Sequence, residues 1–299
     1  MKAKIRGTEI YFDITGSQIG TNGNNLIEKP VLFLIHGGPG GNHIHFKYDS
    51  IKLQEYAQLV FIDQRGCGLS KKDKKQNYTL ENNIEDIEAL RKYLGFNKIS
   101  VLGVSYGGMV AQGYAIRYGK NIDKLILIST APSYHFIETA KENLEKIGTK
   151  QQISVCEKFL WSGSFKNDRD VNHYFKIMDP LYIYNHKKKK RRKPSAKKVK
   201  SKNNIKNILS YDVLNVGFSS FLHKFNFIPK LKNIKCPTLI LVGKNDWVCT
   251  PKHSKIMAEN IPHSTLKIFN KCGHALATDA NDKYINTIRQ FLIDHRGER

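Results

Sequence analysis

The sequence predicts an α/β fold with a mostly parallel central sheet and an inserted, mainly helical segment. Three observations predict it. Apolar runs of strand length begin near residues 31, 59, 99, 124, 238 and 265, and helical patterns such as Leu80 to Leu94 lie between them, the alternation that parallel strands with crossover helices require. Between Thr130 and Cys236 that rhythm stops, leaving helical stretches and many aromatics without a clear buried strand. One strand-to-helix junction, Gly103-Val104-Ser105-Tyr106-Gly107, carries the pattern G-x-S-x-G, in which a serine sits on a turn so sharp that only glycines fit two residues to either side.

Lys4 to Ile14 alternates polar and apolar residues around Gly7 and predicts an antiparallel hairpin. Val31 to Ile35 is a buried-strand run ending in His36-Gly37-Gly38-Pro39-Gly40. Leu59 to Ile62 is the next, followed by Asp63-Gln64-Arg65-Gly66-Cys67-Gly68. Ile99 to Val104 leads into the serine turn. Thr238 to Val242 precedes Gly243-Lys244-Asn245-Asp246, and Leu266 to Phe269 precedes Gly273-His274. The expected organisation is a core in two parts, residues 1–131 and 236–299, with a cap at 132–235 whose aromatics form its own interior and roof a pocket.

A serine hydroxyl is a weak nucleophile until a base removes its proton and an acid orients that base. Ser105, Asp246 and His274 each follow a strand, and Ser, Asp, His is the chain order of α/β-hydrolases. The N–H groups of Tyr106, directly after the serine, and of Gly38, in the glycine-rich loop, are the candidate donors to an oxyanion, with Gly37 close behind. Asp63 also follows a strand and could serve as the acid, but its place in a glycine-rich turn favours a bracing role. His43 and His45 are expected to face solvent rather than the pocket. No histidine and cysteine spacing matches a zinc site, and no cofactor is implied.

With 299 residues and 40% hydrophobic content, the chain can bury a large core. Its five cysteines, at scattered positions, suggest reduced thiols and a cytoplasmic setting. The N-terminus lacks the apolar stretch of a secretory signal, and no run reaches the length of a membrane span. Charge is uneven: of the net +23, the stretch 187–202 alone supplies eleven cations and no acid. Self-repulsion should leave Lys187 to Lys202 disordered as an insertion in the cap. Nucleic-acid or polyanion binding by that run is a weaker reading than a tolerated surface insertion, because aromatic interleaving and a recognition fold are missing.

Taken together, His36-Gly37-Gly38-Pro39-Gly40, Asp63-Gln64-Arg65-Gly66-Cys67-Gly68-Leu69-Ser70, Gly103-Val104-Ser105-Tyr106-Gly107-Gly108 and Gly273-His274 resemble the proline iminopeptidase family of α/β-hydrolases. The resemblance covers both core parts and is weak in the cap. It implies removal of an N-terminal residue, often proline, from short peptides by a serine mechanism without metal. Ser105 would attack the carbonyl, His274 would take its proton and Asp246 would hold His274.

A free N-terminus brings an ammonium ion into the pocket, and a buried unpaired charge costs several kcal/mol, so a negative group must face it. Here the chain departs from its relatives. Members similar to the archaeal tricorn-interacting peptidase carry an acid directly after the triad Asp, where this chain has Trp247. In Asp170-Val171-Asn172-His173-Tyr174-Phe175, Val171 stands where bacterial relatives carry Glu. Asp212 resembles the remaining cap acid, so Asp212 and Trp247, with Gly37, are the expected substrate-binding residues. The alternative is a carboxylesterase, lactonase or amidase acting on a neutral acyl group. A catalytically silent receptor on the same scaffold is disfavoured by the complete set of three candidate residues.

Overall fold

The computed structural model describes residues 1–186 and 209–293, so the basic run expected at 187–202 falls outside the described residues. The expected N-terminal hairpin is β1 (Lys2–Ile5) paired with β2 (Thr8–Thr15). A second hairpin, β3 (Ile19–Asn22) with β4 (Asn25–Glu28), was not anticipated. Its signal is the turn Asn22-Gly23-Asn24-Asn25, where Gly23 takes a φ of 59°.

The remaining strands are β5 (Val31–Ile35), β6 (Gln58–Ile62), β7 (Ile99–Val104), β8 (Ile122–Ile128), β9 (Thr238–Gly243) and β10 (Ser264–Phe269). Among the described residues the main sheet has eight strands in the order β1-β2-β6-β5-β7-β8-β9-β10. From β6 to β10 every pairing is parallel, whereas β2 meets both β1 and β6 antiparallel. The continuous apolar runs follow from burial on both faces. All of β5 is buried: Phe33 and Ile35 point into one core with Val101 and Leu127, and Leu32 and Leu34 into the other with Leu102 and Ile126.

Helix α1 (His43–Ser50) follows the glycine loop. Helix α2 (Leu80–Tyr93) starts at Thr79, whose side chain accepts from the Asn82 N–H, and α3 (Tyr106–Arg117) starts at the serine turn. Between β8 and β9 lie α4 (His135–Ile147), α5 (Lys150–Val155), a π-helical turn at Cys156–Trp161, α6 (Asp168–Tyr182) and α7 (Tyr211–Ser219). Beyond β9 come α8 (Pro251–Asn260), α9 (Leu276–Asp279) and α10 (Asn281–Ile293). No described helix is long and apolar enough to cross a membrane. All five cysteines are buried and free of disulfides.

Asp63, at the end of β6, ties the first loops together. Its fully buried carboxylate accepts from the His43 backbone N–H at 2.7 Å, from His43 Nδ1 at 2.9 Å and from the Leu69 N–H at 2.8 Å. It braces the turn, as the sequence suggested. The expected solvent-facing His43 is corrected: it is buried against Asp63, because the carboxylate at the end of β6 captures it. The side chain of His45 lies outside the described atoms. Nearby, Arg65 donates to both oxygens of Asp86, at 2.9 and 2.7 Å, and to Asp73 at 2.6 Å, fixing the same loop against α2.

Replacing Asp63 by Ala leaves two buried donors on His43 and the part-buried Leu69 N–H without an acceptor. We expect a loss of about 3–5 kcal/mol, read as a lower urea midpoint with unchanged slope; a loss under about 1 kcal/mol would remove Asp63 from the scaffold.

Candidate active site

Ser105 sits where β7 ends and α3 begins, with φ 54° and ψ −120°. A positive φ is strained for a residue with a side chain, and the surroundings enforce it. A Cβ on Gly103 would run into the Gly107 carbonyl, and one on Gly107 into the carbonyls of Ile35 and His36. The chain can therefore pass this close to itself only as glycine. The Ser105 N–H donates to the Ile128 carbonyl at 2.9 Å, and its own carbonyl accepts from Thr130 Oγ1 at 2.7 Å, so neighbouring β8 clamps the turn.

Asp246 and His274 stand beyond two adjacent parallel strands. The loops after β9 and β10 are zipped together: Lys244 N–H donates to Phe269 O at 2.8 Å and Asn245 N–H to Cys272 O at 2.9 Å. This carries the carboxylate to the imidazole. His274 Nδ1 lies 2.9 and 3.0 Å from the two oxygens of Asp246, and His274 Nε2 lies 3.1 Å from Ser105 Oγ. An ionised carboxylate only accepts, so Nδ1 carries the proton and Nε2 presents a lone pair to the serine hydroxyl. Asp246 is fully buried in its side chain, and its Oδ1 also accepts from the Val248 and Cys249 N–H groups at 3.0 and 2.9 Å. The geometry is that of a hydroxyl, a base and an orienting acid in series.

The glycine loop lies against the serine. A Cβ on Gly37 would stand 3.2 Å from both Ser105 Cβ and the Val104 carbonyl. His36 holds the loop: its Nδ1–H donates to the Gly37 carbonyl at 2.8 Å, and its Nε2 accepts from the Gln64 N–H at 3.1 Å. Burial pushes the His36 pKa down, so it is a neutral structural histidine. Gly38 and Tyr106 both line the cavity, and among the described residues neither N–H donates to a backbone carbonyl.

The cavity over Ser105 and His274 measures about 380 Å³ and is mostly apolar. Phe136, Trp161, Phe175, Tyr182 and Phe218, all from the stretch between β8 and β9, wall it together with Trp247. The Tyr182 ring lies 5.5 Å from that of Trp247 and 5.7 Å from that of His274.

Of the expected substrate-binding residues, Gly37 and Trp247 line this space and Asp212 does not. The reason is helical phase. Leu214 and Phe218, one turn apart on α7, face the cavity; Val213 and Val216 pack with Cys67 and Tyr78 on another side. Asp212 lies with that second group, and after burial its charge is among the causes that push the Tyr78 pKa up.

Two carboxylates that sequence reasoning missed do line the cavity: Asp49 from α1 and Asp179 from α6. Phe175, Asp179 and Tyr182 fall at i, i+4 and i+7, one stripe of α6, and that spacing was the available signal.

Comparison with known proteins fits this geometry. Residues 30–280 match the alpha/beta hydrolase fold family. The chain is 31% identical over 290 residues to the proline iminopeptidase PfmaB of Pestalotiopsis fici, covering 94% of this chain and 98% of that one. It is 29% identical over 301 residues to a proline iminopeptidase of Lactobacillus helveticus, covering 98% and 97%. Among solved structures, the proline iminopeptidase of Mycobacterium smegmatis superposes with a TM-score of 0.73 at 17% identity, covering 99% of this chain and 98% of that one.

Replacing Gly107 by Ala drives a methyl group into two carbonyls and must displace the turn. We expect a fall in melting temperature of about 5 °C or more and hydrolytic turnover reduced at least about a hundredfold in the protein that remains folded. Wild-type turnover in a folded Gly107→Ala protein would contradict the enforced turn.

Proposed function

Because the chain belongs to the proline iminopeptidase family of α/β-hydrolases, we propose that it is a serine aminopeptidase that releases an N-terminal residue, proline or similar, from short peptides. The observation that carries this reading is the Ser105–His274–Asp246 series at the floor of an aromatic cavity.

In this reading Ser105 Oγ attacks the carbonyl of the first residue while His274 Nε2 takes the hydroxyl proton. Asp246 stabilises the imidazolium and keeps Nδ1 protonated. The Gly38 and Tyr106 N–H groups receive the oxyanion. His274 then gives its proton to the leaving amine as the C–N bond breaks, and an acyl-enzyme remains on Ser105. Water, deprotonated by His274, attacks that ester, and His274 returns the proton to Ser105 Oγ as the acyl C–O bond breaks and the free residue leaves. No metal takes part in this sequence of steps.

The described residues 132–186 and 209–235 act as the cap that roofs the acyl pocket. With Asp212 turned away, the substrate ammonium faces Asp179 and the neighbouring faces of Phe175, Tyr182 and Trp247. A carboxylate and aromatic faces together hold a cation by charge and by the ring quadrupole. The apolar character of the rest of the cavity favours the second reading, an esterase, lactonase or amidase for a neutral acyl group, and substrate charge separates the two.

Initial rates on a fluorogenic prolyl amide with a free amino terminus and on an uncharged short-chain ester test the assignment. The aminopeptidase reading expects cleavage of the amide, loss of that cleavage when the prolyl nitrogen is acylated, and a fall of roughly four orders of magnitude or more in Ser105→Ala. Turnover of the ester alone would move the function to the second reading.

Asp179→Asn tests the charge. The ratio of kcat/KM for the prolyl amide to that for the ester should fall about tenfold or more. An unchanged ratio would remove Asp179 from ammonium binding.

A further inference from the structure

Asp279, the last residue of α9, uses both carboxylate oxygens on backbone donors from two distant parts of the chain. Its Oδ2 accepts from the Gly273 N–H at 2.9 Å and from the Tyr184 N–H at 3.0 Å, and its Oδ1 accepts from the Asn185 N–H at 2.9 Å. Gly273 is the residue before His274. On the other side, the Ala275 N–H donates to the Tyr182 carbonyl at 3.0 Å. The residues flanking His274 are thus both fastened to Tyr182–Asn185, the end of α6 and the strap that leaves it. Approach is close enough that a Cβ on Gly273 would stand 2.7 Å from the Tyr182 carbonyl. Asn185 Nδ2 adds a longer contact to the Lys271 carbonyl at 3.4 Å.

We propose that Asp279 is a positioning residue: it locks the His274 loop to the end of α6, so that the imidazole reaches Ser105 only when α6 is seated. The inference rests on the reading of His274 as the base for Ser105. Three N–H donors on one carboxylate are charge-assisted bonds, stronger than neutral ones. They act across the junction between the His274 loop and the end of α6, which is otherwise held by the Ala275–Tyr182 bond and the longer Asn185–Lys271 contact. Catalytic groups lose about a hundredfold in rate for a displacement near 1 Å, so loosening this tie reaches Ser105 and His274 without touching either. Tyr182 belongs to both arrangements. Its carbonyl holds Ala275, and its ring lines the cavity 5.7 Å from the His274 ring. Seating of α6 therefore sets the acyl pocket and the base together.

The test compares wild type with Asp279→Asn and Asp279→Ala. Three quantities are read: the second-order rate at which a small alkyl fluorophosphonate labels Ser105, kcat and KM for a short-chain ester, and the melting temperature. Asp279→Ala should lower labelling and kcat about tenfold or more while KM stays within about threefold, the pattern of a lost transition-state contribution. Asp279→Asn keeps one carbonyl acceptor and should fall between Ala and wild type, and being close in shape it tests the proposal if the Ala variant does not fold. Wild-type labelling by folded variants would overturn the proposal and leave Asp279 as a turn staple. Normal labelling with a loss confined to the prolyl amide would also overturn it, since Asp279 would then only hold α6 over the substrate. Failure of wild type to be labelled at Ser105 would instead overturn the serine reading, and this inference with it.

Discussion

The strained backbone of Ser105 is the constraint on which the rest of the site depends. A positive φ at a serine persists only when its surroundings leave no alternative. Here the β8 carbonyl of Ile128 and the crowding at Gly103 and Gly107 remove the alternatives. The same crowding requires β5 and β7 to be neighbours, since the Gly107 backbone passes against the carbonyls that end β5. The parallel sheet is thus the frame that stores the strain. Its two covered faces supply the burial that offsets it.

From that point the other parts follow as a series of ties. The loops after β9 and β10 are bonded to each other before either meets the serine, so Asp246 and His274 arrive as a unit. Asp246 is buried and satisfied by two backbone donors besides the imidazole, which keeps an ionised carboxylate affordable in an apolar setting. The glycine loop is fixed from the opposite side by His36 and Gln64, and Asp63 anchors the turn behind them. The stretch between β8 and β9 adds the aromatic walls and, through α6, a carboxylate and a hold on the His274 loop.

What could be read from the sequence was whatever is local or strand-bound. Gly103 to Gly107 is a contiguous pattern, and Asp246 and His274 each follow a buried run within a few residues, so strand order alone brought them together. The glycine loop was legible for the same reason. Asp212 was misplaced because a resemblance fixes a position along the chain, while the phase of α7 decides which way that position points. His43 was misread because its partner, Asp63, lies 20 residues away and is reached only through the β5–β6 pairing. Asp179 had a readable helical stripe but no sign of what that stripe would face. Asp279 carries no local pattern at all: its three donors come from two segments that meet only in the folded chain.

The most direct test of the account is chemical quench of wild type mixed with a prolyl ester bearing a free amino terminus, followed by mass analysis of the intact protein and of its peptides. The account predicts a transient mass gain of one prolyl group, carried by the peptide that contains Ser105 and absent from Ser105→Ala. Turnover of the ester with no such adduct, or with the adduct on another residue, would contradict a covalent mechanism centred on Ser105.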